Sequence, residues 1–253
     1  MSRANRQATK STPSLEPPAD AEARRSGKPV KPSAKLITPD AVRPKTANQG
    51  RYLRAIDESV VTFGLGPAGS GKTFLAVSKG VQALHNGSVE RIVLTRPYLG
   101  LGPTMGFQPG DLLAKIRHFI EPMLEALEAF YTPPQIEQMI RVGTIKVVAF
   151  EFIRGRTFKD SFVILDEAQN ATHPEMKAFL TRIGEGSRYV INGDLSRDRE
   201  GYLEQCDLPQ GKQGALERAA DRFADLPGVS RITMNTVDIV RHPLVRAMLE
   251  RGF

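Results

Sequence analysis

The sequence predicts an α/β fold, a parallel and mostly buried sheet with helices on both faces. Three observations predict it. Short apolar, β-branched runs alternate along the chain with segments of helical period, as in successive β–α–β units. One such run, Arg91-Ile92-Val93-Leu94-Thr95, is apolar through its centre, as a strand covered on both faces requires. A glycine-rich turn, Gly66-Pro67-Ala68-Gly69-Ser70-Gly71-Lys72-Thr73, joins a strand to a helix in the spacing G-x-x-x-x-G-K-T.

The elements follow in order. Residues 1–45 contain seven prolines and few large apolar side chains. Such a segment cannot bury enough surface to offset its ordering entropy, so a disordered basic tail is expected there and one folded domain over 46–253. Residues 49–58 read as a short helix and 60–63 as the first strand. The glycine-rich turn opens a helix over 74–79. After the strand at 91–95, Arg96-Pro97 stops the ladder. A Gly/Pro-dense loop precedes a helix from Asp111, with apolar residues at helical period from Leu112 to Leu127, which Pro122 should kink or split. Ile136, Met139 and Ile140 mark another helix. Strands are expected at 145–149, 162–167, 188–192 and 229–234. Helices are expected from Pro174, over 215–226 and over 243–250, and residues 197–214 read as a polar loop.

Composition narrows the function. Of the net charge of +7, residues 1–45 hold +6, from ten Lys/Arg against four acids. The body is therefore near neutral. The tail suits nonspecific contact with polyanions or simple solvation. A single cysteine, Cys206, excludes an intrachain disulfide. The four histidines lack metal-ligand spacing, so no zinc site is expected. No apolar run has membrane-spanning length and no signal-peptide core is seen. A cytoplasmic protein without a membrane partner is the expectation.

The motifs carry the chemistry. Gly66 to Thr73 matches the P-loop in full and has its strand and helix in place. Its glycines let backbone N–H groups cradle phosphates at a helix N-terminus. Lys72 would reach the β- and γ-phosphates of ATP, and the Thr73 hydroxyl would hold Mg²⁺. Phe162-Val163-Ile164-Leu165 followed by Asp166-Glu167 is a Walker B segment, with Asp166 at the strand's C-terminal edge to position Mg²⁺ and Glu167 to activate water. Asp166-Glu167-Ala168-Gln169 is similar to the DEAQ box of helicase-type ATPases. Asn192-Gly193-Asp194 ends the next strand, where an acid can sense the γ-phosphate or merely precede a turn.

Taken together these stretches resemble the PhoH-like ATPase family, relatives of the core domain of superfamily-one helicases. Further matching stretches are Thr95-Arg96-Pro97, Gly106-Phe107-Gln108-Pro109-Gly110-Asp111, Arg154-Gly155-Arg156-Thr157, the run Met176 to Arg182, and Val240-Arg241-His242-Pro243-Leu244-Val245. The resemblance implies a RecA-like P-loop NTPase fold from about Pro44 onward. It implies that Gln49 reads the adenine edge, and that Arg96, Arg156 or Arg241 acts as the transition-state arginine, with Arg241 first. Arg156 could equally grip a nucleic-acid phosphate.

The chain departs from the family pattern after Asp194. The glutamine that usually follows within a few residues is reached only at Gln205, so 197–204 reads as an insertion and Arg197 could substitute as a phosphate contact. Superfamily-one helicases close the ATP site with a second domain, and no second domain of that kind is expected here. A homo-oligomeric ring, a hexamer by resemblance, is expected to complete the site with a neighbour's arginine. The functional expectation is ATP hydrolysis coupled to single-stranded RNA or DNA. The alternative is an ATP-dependent switch or assembly factor acting on a protein partner. A nucleotide kinase would need an arginine-rich lid, which Arg197 and Arg199 do not make.

Overall fold

The computed structural model describes residues 36–97, 112–197, 203, 205–209, 214–240 and 244, with the backbone alone for 112–119 and for Glu151. Six strands form one sheet: β1 (Val61–Leu65), β2 (Arg91–Thr95), β3 (Ile145–Val147), β4 (Ser161–Leu165), β5 (Arg188–Gly193) and β6 (Val229–Thr233). Their order is β3-β2-β4-β5-β1-β6, and every neighbouring pair is parallel. The strand β5 is thus inserted between β1 and β4. In register, Leu65 faces Gly193 and Leu165 faces Ile191 and Thr95, so the loops after β1, β5, β4 and β2 leave from one edge.

Strand alternation builds two core layers. Phe162 and Ile164 join Ile92, Leu94 and Val190 under α1 (Ala47–Glu58), α2 (Lys72–His85), α3 (Leu112–Glu128) and α4 (Pro133–Val142). Val163 and Leu165 join Phe63, Val93 and Ile191 on the other face, under α5 (His173–Leu180) and α6 (Leu216–Arg222). Each large apolar side chain so buried contributes about 1.5–3 kcal/mol. Helices on both faces of a parallel sheet are what the sequence predicts.

Local chemistry sets the ends. Thr46 accepts from Gln49 N–H at 3.2 Å and caps α1. Thr132 and Gln135 form a capping box on α4, and Thr172 and Glu175 form one on α5. The helix α3 runs through Pro122 without splitting. One lost backbone bond is offset by the burial of Ile120, Met123, Leu124 and Leu127 against the sheet and α2.

Three expectations change. The tail does not extend to residue 45: Ile37 N–H donates to Ala129 O at 2.8 Å, and Gln82 Nε2 donates to Asp40 Oδ1 at 2.7 Å. Prolines there shape a 3-10 turn at Pro39–Ala41 that lies on the body. The edge strand β3 stops at Val147, two residues early, because the chain turns into the 3-10 segment Phe150–Phe152. The sixth helix ends at Arg222, short of residue 226. The expected helix over 243–250 and most of the 197–204 insertion lie outside the described residues.

Gly64 is a packing requirement. A Cβ there would sit 2.6 Å from both Asn192 Oδ1 and the Tyr52 ring, and Tyr52 OH donates to that same Oδ1. Gly64→Ala is expected to lower stability by about 1–3 kcal/mol, the usual cost of overpacking, read as a shift in urea midpoint at unchanged m. An unchanged midpoint would show that the α1–β1–β5 contact yields freely.

Candidate nucleotide site

The site forms where the loops leaving β1, β5, β4 and β2 meet. A cleft of about 500 Å³ is lined by the turn after β1, by Asp166, Glu167 and Asp194, and by Pro122 and Glu125 of α3. The turn holds its shape through glycine. Gly71 is the N-cap of α2 at φ +86°, and Gly66 approaches so closely that a Cβ would lie 2.6 Å from Met234 O.

Lys72 lies back inside this turn. Its Nζ donates to Gly66 O at 2.6 Å, to Pro67 O at 2.9 Å and to Ser70 Oγ at 3.2 Å. Burial pulls its ammonium below the usual lysine range, against the opposing pull of Asp194, Asp166 and Glu167. The amine therefore occupies the hollow that the backbone encloses, with three carboxylates around it. A phosphate chain entering the hollow would exchange those carbonyl partners for oxyanions.

Thr73 and Asp166 are brought together from α2 and β4. Thr73 Oγ1 donates to both Asp166 oxygens, at 3.0 and 3.1 Å. Burial first, then the neighbouring Glu167, push the Asp166 carboxyl up to about 6, while Thr73, Arg96 and Lys72 pull the other way. A buried carboxylate beside a second carboxylate is negative charge that a divalent cation would neutralise. Mg²⁺ takes hard oxygen donors and keeps several waters. Thr73 and Asp166 fit it, with water and phosphate completing the shell.

Glu167 follows with its backbone at φ +52° and ψ +40°, the left-handed region that a bulky side chain enters at a cost of roughly 1–3 kcal/mol. Its carboxylate stands half-exposed on the cleft wall. Arg96 Nη2 lies 3.8 Å from its Oε1, and Gln169 Nε2 donates to its Oε2 at 2.6 Å. Of the two described arginines among the three suggested by resemblance, Arg96 is thus the one that the structure puts beside this group. Arg156 is exposed and its Nε donates to Phe152 O instead. Arg241 lies outside the described residues, although Val240 N–H just before it donates to Gly69 O at 3.0 Å.

Four further residues expected at the site make the following contacts. Asp194 lines the cleft while its Oδ2 accepts from Ala68 N–H at 3.0 Å and its Oδ1 from Ser196, so it braces the glycine-rich turn. Gln49 is buried, its Oε1 accepting from Lys45 N–H at 2.7 Å and its Nε2 donating to Ser70 O at 3.0 Å. It tethers α1 to the turn, and those bonds would have to break for it to read an adenine. Arg197 pairs with Glu217 on α6. Gln205 lines the cleft and presents its carbonyl, which accepts from Gln169 Nε2 at 3.1 Å.

Gln169 is the residue that sequence reasoning noted only as a letter of the DEAQ box. It is fully buried and its Oε1 also accepts from Asp194 N–H at 3.0 Å. The signal available was its place two residues after Glu167; its partners are 25 and 36 residues away.

Known proteins share this fold. A large terminase from a thermophilic bacteriophage aligns with a TM-score of 0.54 at 10% identity, over 83% of this chain and 51% of its own. The same terminase in complex with ADP aligns at 0.53 and 11%, over 83% and 50%. These share the P-loop NTPase fold. A PhoH-like protein of Mycobacterium tuberculosis strain H37Rv is 43% identical over 83% of this chain and 57% of its own length. One from Bacillus subtilis strain 168 is 42% identical over 83% and 63%, and Protein PhoH of Escherichia coli K12 is 36% identical over 79% and 55%. The chain therefore spans somewhat over half the length of these relatives. The family model described as PhoH-like protein matches residues 41–251, and the chain belongs to that family.

Proposed function

We propose that this chain is a Mg²⁺-dependent ATPase whose turnover is coupled to single-stranded RNA or DNA. One observation carries the reading: the phosphate cradle with Lys72, the Thr73–Asp166 pair and Glu167 line a single cleft. The ADP held by the structurally similar terminase supports a nucleotide in this fold. In this reading Glu167 accepts a proton from water as the water oxygen bonds to the γ-phosphorus. The bond to the bridging oxygen breaks, and its electron pair leaves with ADP. Bound Mg²⁺ would supply charge neutralisation on the phosphate oxygens. Lys72 would hold the β- and γ-oxygens, and Arg96 would face charge that develops beside Glu167.

A surface feature supports a polyanionic partner. Arg154, Arg156 and Lys177 are exposed, with Arg182 half-buried beside them, and among the described residues none forms an ion pair. Arg182 Nη1 donates to Arg156 O at 3.4 Å and Arg156 Nε to Phe152 O at 3.1 Å, so Arg156, Arg182 and Phe152 adjoin one another. Phe152 stands beside them 54% exposed, a ring on which a base can stack. The double variant Arg154→Glu/Lys177→Glu is expected to raise the half-saturating concentration of single strand about tenfold, through lost phosphate contacts.

The deciding measurement is steady-state Mg·ATP hydrolysis with and without single-stranded RNA and DNA. A several-fold rise with one of them supports the coupling. Turnover that ignores both favours a switch acting on a protein partner. The reading extends to a homo-oligomeric ring, a hexamer, in which a neighbour supplies an arginine. Full turnover by a 27.8 kDa monomer in light scattering would exclude the ring.

A further inference from the structure

We propose that Gln169 is a positioning residue that sets the orientation of Glu167 according to where the 205–207 segment sits. The inference rests on the hydrolytic reading of the cleft and concerns its control. Gln169 is completely buried and its amide makes three directed bonds. Nε2 donates to Glu167 Oε2 at 2.6 Å and to Gln205 O at 3.1 Å, and Oε1 accepts from Asp194 N–H at 3.0 Å. Both amide hydrogens are therefore committed, one to the general base and one to the backbone of a distant segment. Moving Gln205 O away leaves that hydrogen without its partner, and the amide must tilt to recover one. Tilting carries the other hydrogen off Glu167.

The segment is itself clipped on. Asp207 N–H donates to Asn170 Oδ1 at 2.9 Å, and Asn170 Nδ2 reaches Asp207 Oδ2 at 3.3 Å. The hydrogen bonds of the Asn170 side chain go to Asp207. Thr172 then pairs with Gly214 in an antiparallel bridge, and Ala215 N–H donates to Ala171 O at 2.8 Å. The 168–172 turn is thus flanked by two anchored pieces of one connection. Glu167 is the hinge in this arrangement, because its left-handed backbone is held only while its surroundings over-determine it. The opposite carboxylate oxygen faces the Arg96 guanidinium at 3.8 Å, so the carboxylate lies between an amide donor and a positive charge from different elements.

The Gln169→Glu variant tests this without changing shape. It keeps an oxygen for Asp194 N–H but replaces the donor to Glu167 and Gln205 with a second carboxylate. Turnover number and KM for Mg·ATP are measured for wild type, Gln169→Glu, Asn170→Ala and the double variant. Gln169→Glu is expected to lower the turnover number about tenfold to a hundredfold, the range for a misplaced catalytic group, with KM within threefold. Asn170→Ala, which only releases Asp207, is expected to lower it several-fold in wild type and to have no further effect beside Gln169→Glu. Effects that multiply independently, or a Gln169→Glu variant with wild-type turnover, overturn the proposal. Hydrogen exchange of residues 205–209 with and without a non-hydrolysable ATP analogue is the second reading. Protection should change in wild type and stay constant in Gln169→Glu, and an equal change in both overturns the coupling. Wild-type protein that fails to hydrolyse ATP would strike the hydrolytic reading alone, since the exchange comparison still decides the coupling.

Discussion

Glu167→Gln is expected to bind Mg·ATP as tightly as wild type and to lose turnover by about a hundredfold to ten-thousandfold, the range for removing a general base. The amide keeps the size of the carboxylate and keeps an oxygen for Gln169 Nε2, so the turn from Asp166 to Asn170 retains its bonds. The phosphate contacts through the glycine-rich turn, Lys72 and Thr73 are untouched. What the amide lacks is a lone pair basic enough to take the proton of water. Single-turnover hydrolysis beside a nucleotide-binding titration checks both halves. Loss of binding together with turnover would mean that the Arg96–Glu167 contact shapes the pocket, since that contact weakens when the carboxylate charge is removed. Turnover equal to wild type would remove Glu167 from the base role altogether.

The parts of this site that could be read from sequence are those in which backbone makes the site. A glycine-rich turn between strand and helix cradles phosphates by its own N–H groups, so its pattern carries its geometry. The same holds for Asp166, because an apolar run can only put the next residue at the strand's C-terminal edge. Residues whose role lies in where a side chain reaches were less legible. Gln49 spends its amide on Lys45 and Ser70, and Asp194 spends its carboxylate on Ala68 and Ser196. Ala68 as a partner of Asp194 could not be known until β5 was seen to lie beside β1. Gln169 illustrates the limit, because its bonds join three segments that only the sheet order brings together. The fold followed the same division. Apolar runs located all six strands. The prolines of residues 36–45 misled, because contacts with Ala129 and Gln82 outweigh local propensity, and of the two outcomes expected at Pro122 the split does not occur.

Lys72→Ala has the second large effect, on affinity rather than rate. The amine is the donor closest to the hollow, and its three present partners are neutral oxygens that phosphate oxyanions would replace. Each hydrogen bond to a charged group is worth about 1.5–3 kcal/mol, of which the bonds surrendered to Gly66, Pro67 and Ser70 give back part. A net loss of about 3 kcal/mol follows, or roughly a hundredfold in Kd. The electrostatic background acts in the same direction. Asp166, Asp194 and Glu167 all pull on this ammonium, so its removal leaves an anionic wall facing an anionic ligand. Lys72→Arg should not rescue binding, because a planar guanidinium cannot enter a hollow where the lysine is only 9% exposed. Titration with a fluorescent ATP analogue in Mg²⁺ measures both variants. A Kd within threefold of wild type for Lys72→Ala would mean that the amine stays folded on the turn when nucleotide binds, and that the backbone cradle alone holds the phosphates.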